Sequence, residues 1–235
     1  MRTEGIIRTH GSMTPFRSSW REHALNGLTT VLVCVALLTT SGMVRTRYRQ
    51  YRATKERFAH VPSWKPFASS GSRLSGRSAA PITVVEFTDY QCTACKRFLP
   101  VLDSVQAMKP DSVQVIIRHY PLQQHVFAWT AALLAECASR QGRFAAMHAR
   151  LFAAQDSLGA IPWMELGRQA GVPDTTALAT CLKSPSAMSR LVADTLAAHA
   201  LATHGTPTTL INDVRFTGSL QFQELVRIMS DVKAQ

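Results

Sequence analysis

The chain is poor in charged residues, in acidic residues especially, and in cysteine. Only 17% of its 235 residues are charged, and 15 acidic side chains stand against 26 basic ones, giving a formal net charge of +11. Five cysteines are too few for a disulfide-dense miniprotein, and an apolar content of 46% excludes wholesale disorder. No internal repeat is visible. The length fits one ordinary domain with an attachment.

The positive charge is concentrated at one end of the chain. Residues 1–80 carry 13 basic and 3 acidic side chains, a net of +10, whereas residues 81–235 carry a net of +1. A strongly basic protein suggests nucleic acid as a partner when the charge covers its folded surface. Because the body is nearly neutral and has no basic stripe, we expect no nucleic-acid partner.

An uncharged stretch of 21 residues, 24–44, lies inside the basic end. About 20 such residues form a helix that spans a bilayer. The arginine-rich flanks fit poorly with a buried helix of a globular domain, while a cleaved signal peptide remains an alternative because the most apolar run is short. We predict a basic segment 1–23, an uncleaved transmembrane anchor 24–44, and a basic linker rich in Ser, Gly and Pro over residues 45–80.

The pattern of apolar residues in the body predicts an α/β domain over residues 81–235. Two β-branched runs, 82–87 and 113–117, flank a segment with helical spacing, which indicates a βαβ unit with parallel strands. Residues 124–204 are helical almost throughout. Two further strand patterns, 208–211 and 214–217, are separated by Asn212 and Asp213 at a hairpin position, and residues 221–232 form an amphipathic helix.

A Cys-x-x-Cys motif, Cys92 to Cys95, follows the first strand and opens the first helix. Zinc sites use the same spacing, but no second ligand pair is suitably placed, so we predict no metal site. A helix N-terminus stabilises negative charge and lowers the pKa of a thiol placed there. We therefore predict redox chemistry, with Cys92 as the exposed nucleophile and Cys95 as the buried resolving thiol, against the alternative of inert core cysteines.

Four segments resemble the DsbA-like branch of the thioredoxin superfamily, and they occur in that family's order: VVEFTDYQCTACKRF, YPLQQH, AALLAECASRQGRFAAMHARLFAAQ and GTPTTLIND. The resemblance covers residues 81–232. It implies a thioredoxin fold with an inserted helical domain at about residues 124–204, preceded here by the N-terminal transmembrane helix. It also implies a thiol–disulfide oxidoreductase that needs no cofactor.

The resemblance assigns roles to three further residues. Pro207 matches the family's cis-proline, which faces the Cys-x-x-Cys motif, and with Thr206 it is expected to contact substrate; the alternative is an ordinary trans proline at the start of a strand. Glu86 matches a buried acid beneath the active site, where burial raises its pKa. A glutamate at a sheet edge facing water is the alternative for Glu86.

Two features leave questions open. Many relatives have proline after the first cysteine, whereas this chain has Thr93, and the residues between the cysteines help set the redox potential, so the direction of the reaction is open. Cys137 and Cys181 are predicted to form a structural disulfide in an oxidising compartment, with two free core thiols as the alternative.

We predict a membrane-anchored enzyme that introduces or exchanges disulfides in unfolded or reduced exported proteins and is reset by a separate redox partner. The alternatives are a reductase or isomerase of the same fold, or a non-catalytic copper carrier that uses the thiolates. The predicted location is the cell membrane, with a single pass and the catalytic domain on the periplasmic side. The charges conflict with this topology, since more basic residues follow the apolar segment than precede it.

Overall fold

The computed structural model describes the backbone of residues 18–233 and the side chains of residues 27–48 and 57–232. Of the predicted basic segment 1–23, residues 1–17 lie outside the described residues. The chain divides into two units, residues 1–53 and 54–235. The second unit contains the sheet, the inserted helices and all of the candidate site residues.

The described residues of the first unit, from Ser18 onward, are helical. Helix α1 (Ser18–Arg57) has 40 residues, and its stretch Gly27–Tyr48 is, in the described part of the chain, the one helical stretch long and apolar enough to cross a membrane. At 1.5 Å per residue such a stretch is about 33 Å long, close to the thickness of a bilayer core. The hydroxyl groups of Thr40 and Thr46 donate to carbonyls one turn earlier, at 2.7 and 2.8 Å, so they remain paired in an apolar environment.

The second unit is built on a mixed sheet of six described strands in the order β1-β6-β5-β3-β4-β2. Strands β3 and β4 are parallel, as expected for a βαβ unit, and the other pairs are antiparallel. The predicted hairpin joins the two strands before the last helix. The strand bounds are β1 Phe58–His60, β2 Ser72–Ser75, β3 Ile82–Thr88, β4 Val113–His119, β5 Thr208–Ile211 and β6 Val214–Thr217.

The prediction of a basic linker over residues 45–80 is wrong, because residues 45–57 belong to helix α1 and residues 58–80 include two strands of the sheet. Strand β1 pairs with β6, β2 pairs with β4, and these two strands form the edges of the sheet. The Phe58 ring packs against Phe216 at 4.8 Å between centroids. These edge strands have only three and four residues, so no alternation of apolar residues is visible in the sequence. The folded body therefore begins before residue 60.

A block of helices separates β4 from β5, as predicted. Between α4 and α5, Gly142 has φ +69°, a left-handed conformation that glycine adopts without strain. Cys137 of α4 and Cys181 of α7 are bonded as a disulfide, with their Cα atoms 5.8 Å apart. The remaining helices are α2 Lys65–Ser69, α3 Thr93–Met108, α4 Ala128–Ser139, α5 Phe144–Ala153, α6 Trp163–Gln169, α7 Thr175–Cys181, α8 Pro185–Ala200 and α9 Phe222–Lys233.

Strand β3 is buried along its whole length because it lies between β5 and β4 with helices on both faces of the sheet. Its side chains alternate between two cores. Val84 points into the larger core, which contains residues of α3, α9 and the inserted helices, and Val85 points into a smaller core with residues of α2 and α8. This alternation sends Glu86 into the larger core, on the same side as Cys95.

Candidate active site

Cys92 is the residue immediately before α3, and Cys95 lies one turn inside it. The backbone of Cys92 is extended, with φ −76° and ψ 115°, and its side chain lies near the N–H groups of Ala94 and Cys95 at the helix start. Cys92 is half-buried and Cys95 is fully buried, and both are free thiols. One sulfur is thus accessible to a second molecule and the other is reachable only from within the fold.

The surroundings of Cys92 favour its thiolate. The Cys95 thiol, the Thr206 side chain and the backbone N–H groups of Cys95 and Ala94 lower the pKa of Cys92 to about 5 against the opposing effect of partial burial. Burial and the adjacent Cys92 raise the pKa of Cys95 well above its ordinary value. At neutral pH the pair therefore holds one thiolate, on Cys92, and one thiol, on Cys95.

Glu86 lies beneath the two cysteines on the central strand β3, where it faces Ile117 of β4 and Thr209 of β5 across the ladder. The alternative of a sheet-edge glutamate facing water does not hold, since only 1% of the residue is exposed. Burial, and to a lesser extent the Cys92 charge, raises the pKa of Glu86 to about 8. Its Oε1 atom has no hydrogen-bond partner among the described residues.

The loop that precedes β5, with Thr206 and Pro207, also lies against Cys92. The Thr206–Pro207 peptide bond is cis, and the Thr206 carbonyl oxygen lies 3.2 Å from Cys92 Sγ, where it accepts a hydrogen bond when Cys92 is protonated. Ser219, which follows β6, also contacts the start of α3, where its hydroxyl donates to the Ala94 carbonyl at 2.9 Å. Cys92, Cys95, Glu86 and the Thr206–Pro207 bond, separated by up to 121 positions in the sequence, thus meet at one end of the sheet.

The comparisons with known proteins agree with this geometry. The model of the family described as Thioredoxin matches residues 68–231. The chain belongs to the thioredoxin family. Its fold is similar to that of a thioredoxin-like oxidoreductase from Silicibacter pomeroyi DSS-3, with a TM-score of 0.65, 23% identity, and 74% of this chain and 98% of that chain covered.

Two further solved structures are similar to this member of the thioredoxin family. The catalytic domain of Proteus mirabilis ScsC is 25% identical, with a TM-score of 0.61 and coverage of 74% of this chain and 96% of that one. Pseudomonas aeruginosa DsbA2 is 26% identical, with a TM-score of 0.57 and coverage of 69% and 94%. The similarity to these ScsC and DsbA-type proteins covers most of this chain and nearly all of theirs.

Curated sequence relatives share only part of their length with this member of the thioredoxin family. The Na(+)/H(+) antiporter NhaA 1 of Mycolicibacterium gilvum (strain PYR-GCK) is 31% identical over 176 residues, which cover 70% of this chain and 27% of that protein. The chain thus spans about a quarter of the length of the curated relatives that it matches.

Sequence reasoning did not identify the residues that hold the loop between β3 and α3. The Asp89 carboxylate is buried and accepts hydrogen bonds from the backbone N–H groups of Gln91 and Leu122, at 2.7 and 2.8 Å, and from the His125 ring at 2.7 Å. Gln155 of the insertion donates to the carbonyls of Tyr90 and Cys92. These partners come from distant segments, so only a three-dimensional structure brings them together.

A buried cluster of aromatic and histidine side chains also escaped the sequence analysis. The Tyr90 hydroxyl and His148 Nδ1 are hydrogen-bonded at 3.0 Å, and the His119 ring lies 5.9 Å from that of Tyr90. Burial lowers the pKa of His119 to about 4 and that of His148 to about 3, so both rings are neutral at physiological pH. The alternation of residues along β4, which places His119 on the same face as Val115 and Ile117, is a sequence signal that could have indicated this position.

The other cysteines lie apart from the site. Cys137 and Cys181 connect two helices of the insertion, and Cys34 is exposed on α1. Within the described ranges, no group of three or more His, Cys, Asp or Glu side chains has the arrangement of a metal site.

Proposed function

We propose that Cys92 and Cys95 carry out thiol–disulfide exchange and that the net reaction forms disulfides in substrate proteins. The observation that carries this proposal is the position of the Cys92 sulfur, at the start of α3, facing the Thr206 carbonyl, with Cys95 buried beneath it. The pair matches the requirement for one accessible sulfur of low pKa and one protected resolving sulfur.

The reaction begins with the oxidised pair. A substrate thiolate attacks Cys92 Sγ, the Cys92–Cys95 bond breaks, and Cys95 leaves with the electron pair and takes up a proton, which the buried and protonated Glu86 carboxyl supplies. A second substrate thiolate then attacks the substrate sulfur of the mixed disulfide and Cys92 leaves as a thiolate. The substrate loses two electrons and the enzyme gains them, and a separate oxidant must remove them again.

The Cys92 thiolate favours oxidation over reduction as the net direction. A thiolate that is stabilised in the reduced enzyme makes the reduced form more stable, and the disulfide form becomes a stronger oxidant. The pKa of Cys92 near 5 belongs to this regime. A reductase or isomerase of the same fold is the alternative, and the equilibrium with glutathione distinguishes them.

An apolar surface beside the active site suits unfolded polypeptides as substrates. Val126, Phe127 and Trp129 are 80%, 37% and 39% exposed. They adjoin the active-site loop, because the Phe127 N–H donates to Gln91 Oε1 at 2.5 Å. An exposed apolar patch of this kind binds other molecules that offer apolar side chains, as unfolded chains do.

We further propose that α1 anchors the protein in the membrane and that the catalytic unit lies on the periplasmic side. The Cys137–Cys181 disulfide supports this side, because such bonds persist in oxidising compartments. The positive-inside rule favours the opposite topology. A compartment-sensitive reporter fused after Gln235 tells on which side of the membrane the catalytic unit lies, and a cytoplasmic signal would contradict the proposal.

The proposed function is tested by the refolding of a reduced, unfolded substrate protein with the oxidised full chain. Cys92→Ala removes the attacked sulfur and is expected to abolish disulfide formation, whereas Cys95→Ala retains Cys92 and is expected to accumulate a mixed disulfide that gel electrophoresis detects. Cys34→Ala is the matched control and should keep full activity. Wild-type activity in the Cys92→Ala variant would overturn the mechanism, and stoichiometric copper binding without exchange would favour the carrier.

A further inference from the structure

One buried amide of the inserted helical block donates hydrogen bonds to the backbone of the active-site loop. Gln155 begins the 3-10 turn Gln155–Ser157 that follows α5, and only 6% of the residue is exposed. Its Nε2 atom donates to the Tyr90 carbonyl at 2.8 Å and to the Cys92 carbonyl at 3.1 Å. One side chain of the insertion thus holds two peptide units of the loop that carries the accessible cysteine.

The chemistry of the partners fixes the orientation of this amide. Both partners are carbonyl oxygens, which only accept hydrogen bonds, so the NH2 group and not the oxygen must face them. The Oε1 atom then points the other way and is buried with no partner among the described residues. A buried amide oxygen without a partner costs folding free energy that an apolar side chain would avoid. The two hydrogen bonds that Gln155 donates must therefore offset this loss of folding free energy.

The Cys92 carbonyl is the point at which this contact acts on the sulfur. It already accepts the first hydrogen bond of α3, from Lys96 N at 3.1 Å. Holding this carbonyl in place fixes the ψ angle of Cys92 and the position of Sγ over the N–H groups of Ala94 and Cys95, which help to stabilise the thiolate. Without Gln155 the Tyr90 carbonyl would lose a buried hydrogen-bond donor. Because a buried carbonyl without a donor is unfavourable, we expect the loop to change its conformation.

We propose that Gln155 is a positioning residue through which the helical insertion sets the conformation, and with it the nucleophilicity, of Cys92. Gln155 touches neither the sulfur nor the substrate; it acts through the backbone of residues 90–92. The inference rests on the proposed role of Cys92 as the exchanging sulfur. It assigns the insertion a part in the chemistry, in addition to any part in binding substrate.

Two other polar contacts of the insertion help to distinguish a positioning role of Gln155 from a purely structural one. Asp156, next in the chain, forms an ion pair with Lys96 at 3.1 Å, but its side chain is 83% exposed. Exposed pairs contribute little. Gln141 offers the matched control, because its amide also makes two hydrogen bonds, with the backbone N and O of Asp174, within the insertion and away from Cys92 and Cys95.

The test compares Gln155→Met, Gln155→Glu and Gln141→Met in the reduced full chain. The rate of alkylation at Cys92 is followed against pH, with the modified peptide identified by mass spectrometry, and circular dichroism checks folding. Gln155→Met removes both donors at similar size, and the alkylation midpoint is expected to rise by about one pH unit, with about a tenfold shift of the glutathione equilibrium towards the enzyme disulfide. Gln155→Glu places a carboxylate against the same carbonyls and should raise the midpoint at least as far.

The controls make the inference falsifiable even if one variant folds poorly. Gln141→Met is expected to lower the melting temperature without moving the alkylation midpoint. If either folded Gln155 variant keeps the wild-type midpoint, or if Gln141→Met moves it equally, Gln155 does not position the thiolate. A wild-type chain that forms no disulfides would instead overturn the proposed function, and the alkylation profiles would still report on Gln155 by themselves.

Discussion

The two faces of the sheet carry buried polar clusters of different character. On the smaller-core face, Arg118 and Asp194 form an ion pair at 2.7 Å, and both side chains are almost fully buried. Arg118 also donates to the Phe67 carbonyl at 3.1 Å, and Asp194 accepts from the His119 backbone N–H at 3.0 Å. Each charge has an opposite charge and further hydrogen bonds, which is the arrangement that makes a buried pair tolerable.

On the larger-core face, beneath the cysteines, several buried polar atoms lack hydrogen-bond partners among the described residues. Glu86 Oε1, both ring nitrogens of His119 and Nε2 of His148 have no hydrogen-bond partner among the described residues. Burial alters the pKa of all three side chains so that their neutral forms are favoured. Adjacent residues of β4, Arg118 and His119, therefore differ in role. Complete pairing marks a structural cluster, whereas unpartnered titratable groups accompany the site that must exchange protons.

The largest expected effect comes from breaking the satisfied pair. Asp194→Ala leaves the Arg118 charge buried without its partner, which costs about 3–5 kcal/mol of folding free energy. The pKa of Cys92 should not change, because the pair lies on the opposite face of the sheet. Urea unfolding and Cys92 alkylation measure the two quantities. A shift in the alkylation midpoint of the folded variant would show that the two faces are coupled.

The next effect has the opposite sign and depends on pH. The pKa of Glu86 is raised by burial from 4.5 to about 8, so its contribution to stability is fully present below pH 4.5 and is lost as the pH rises towards 8. Glu86→Gln removes this loss, and the stability of the variant relative to wild type should increase by about 3 kcal/mol between pH 4 and pH 7.

Unfolding curves of wild type and Glu86→Gln at several pH values check this difference. The same variant should slow the protonation of Cys95 as it leaves, which stopped-flow measurement of the exchange step detects. A difference in stability that is independent of pH would mean that Glu86 is ionised in the folded protein.

How far the sequence predicts this site depends on the distance between partners. Cys92 and Cys95 are one helical turn apart, so local spacing was enough to predict the pair, whereas the role of Glu86, six residues before Cys92, was predicted from the resemblance to the DsbA-like branch. Asp89 with His125, and Gln155 with the Cys92 carbonyl, join residues 36 and 63 positions apart. Hydrogen bonds of this kind leave no periodic signal, and the same holds for the short edge strands β1 and β2.

A smaller effect belongs to the neutral histidines. The pKa of His148 is lowered by burial from 6.5 to about 3, so the stability that depends on a neutral ring is present above pH 6.5 and is lost as the pH falls towards 3. His148→Phe removes this titration, and about 2 kcal/mol less stability should be lost between pH 7 and pH 5 than in wild type. Thermal melts across this range test it, and parallel pH profiles of the two proteins would contradict it.

The smallest effect is expected at the surface of the site. Asp156→Asn removes an exposed ion pair with Lys96, and the change in folding free energy should stay within about 0.5 kcal/mol. Added salt should reduce even this difference. Equilibrium unfolding at low and high salt measures it. A loss comparable to that of Asp194→Ala would contradict the distinction between buried and exposed pairs.

The pH titration of the Cys92 thiolate in the reduced full chain tests the central claim most directly. Thiolate absorbance and the rate of alkylation at Cys92, assigned by peptide mass spectrometry, should both reach half their limit near pH 5. That result would identify Cys92 as the stabilised nucleophile at the start of α3. A midpoint near the ordinary thiol value of about 8.5 would contradict the account, because the helix start and the Thr206 segment would then leave the sulfur unactivated.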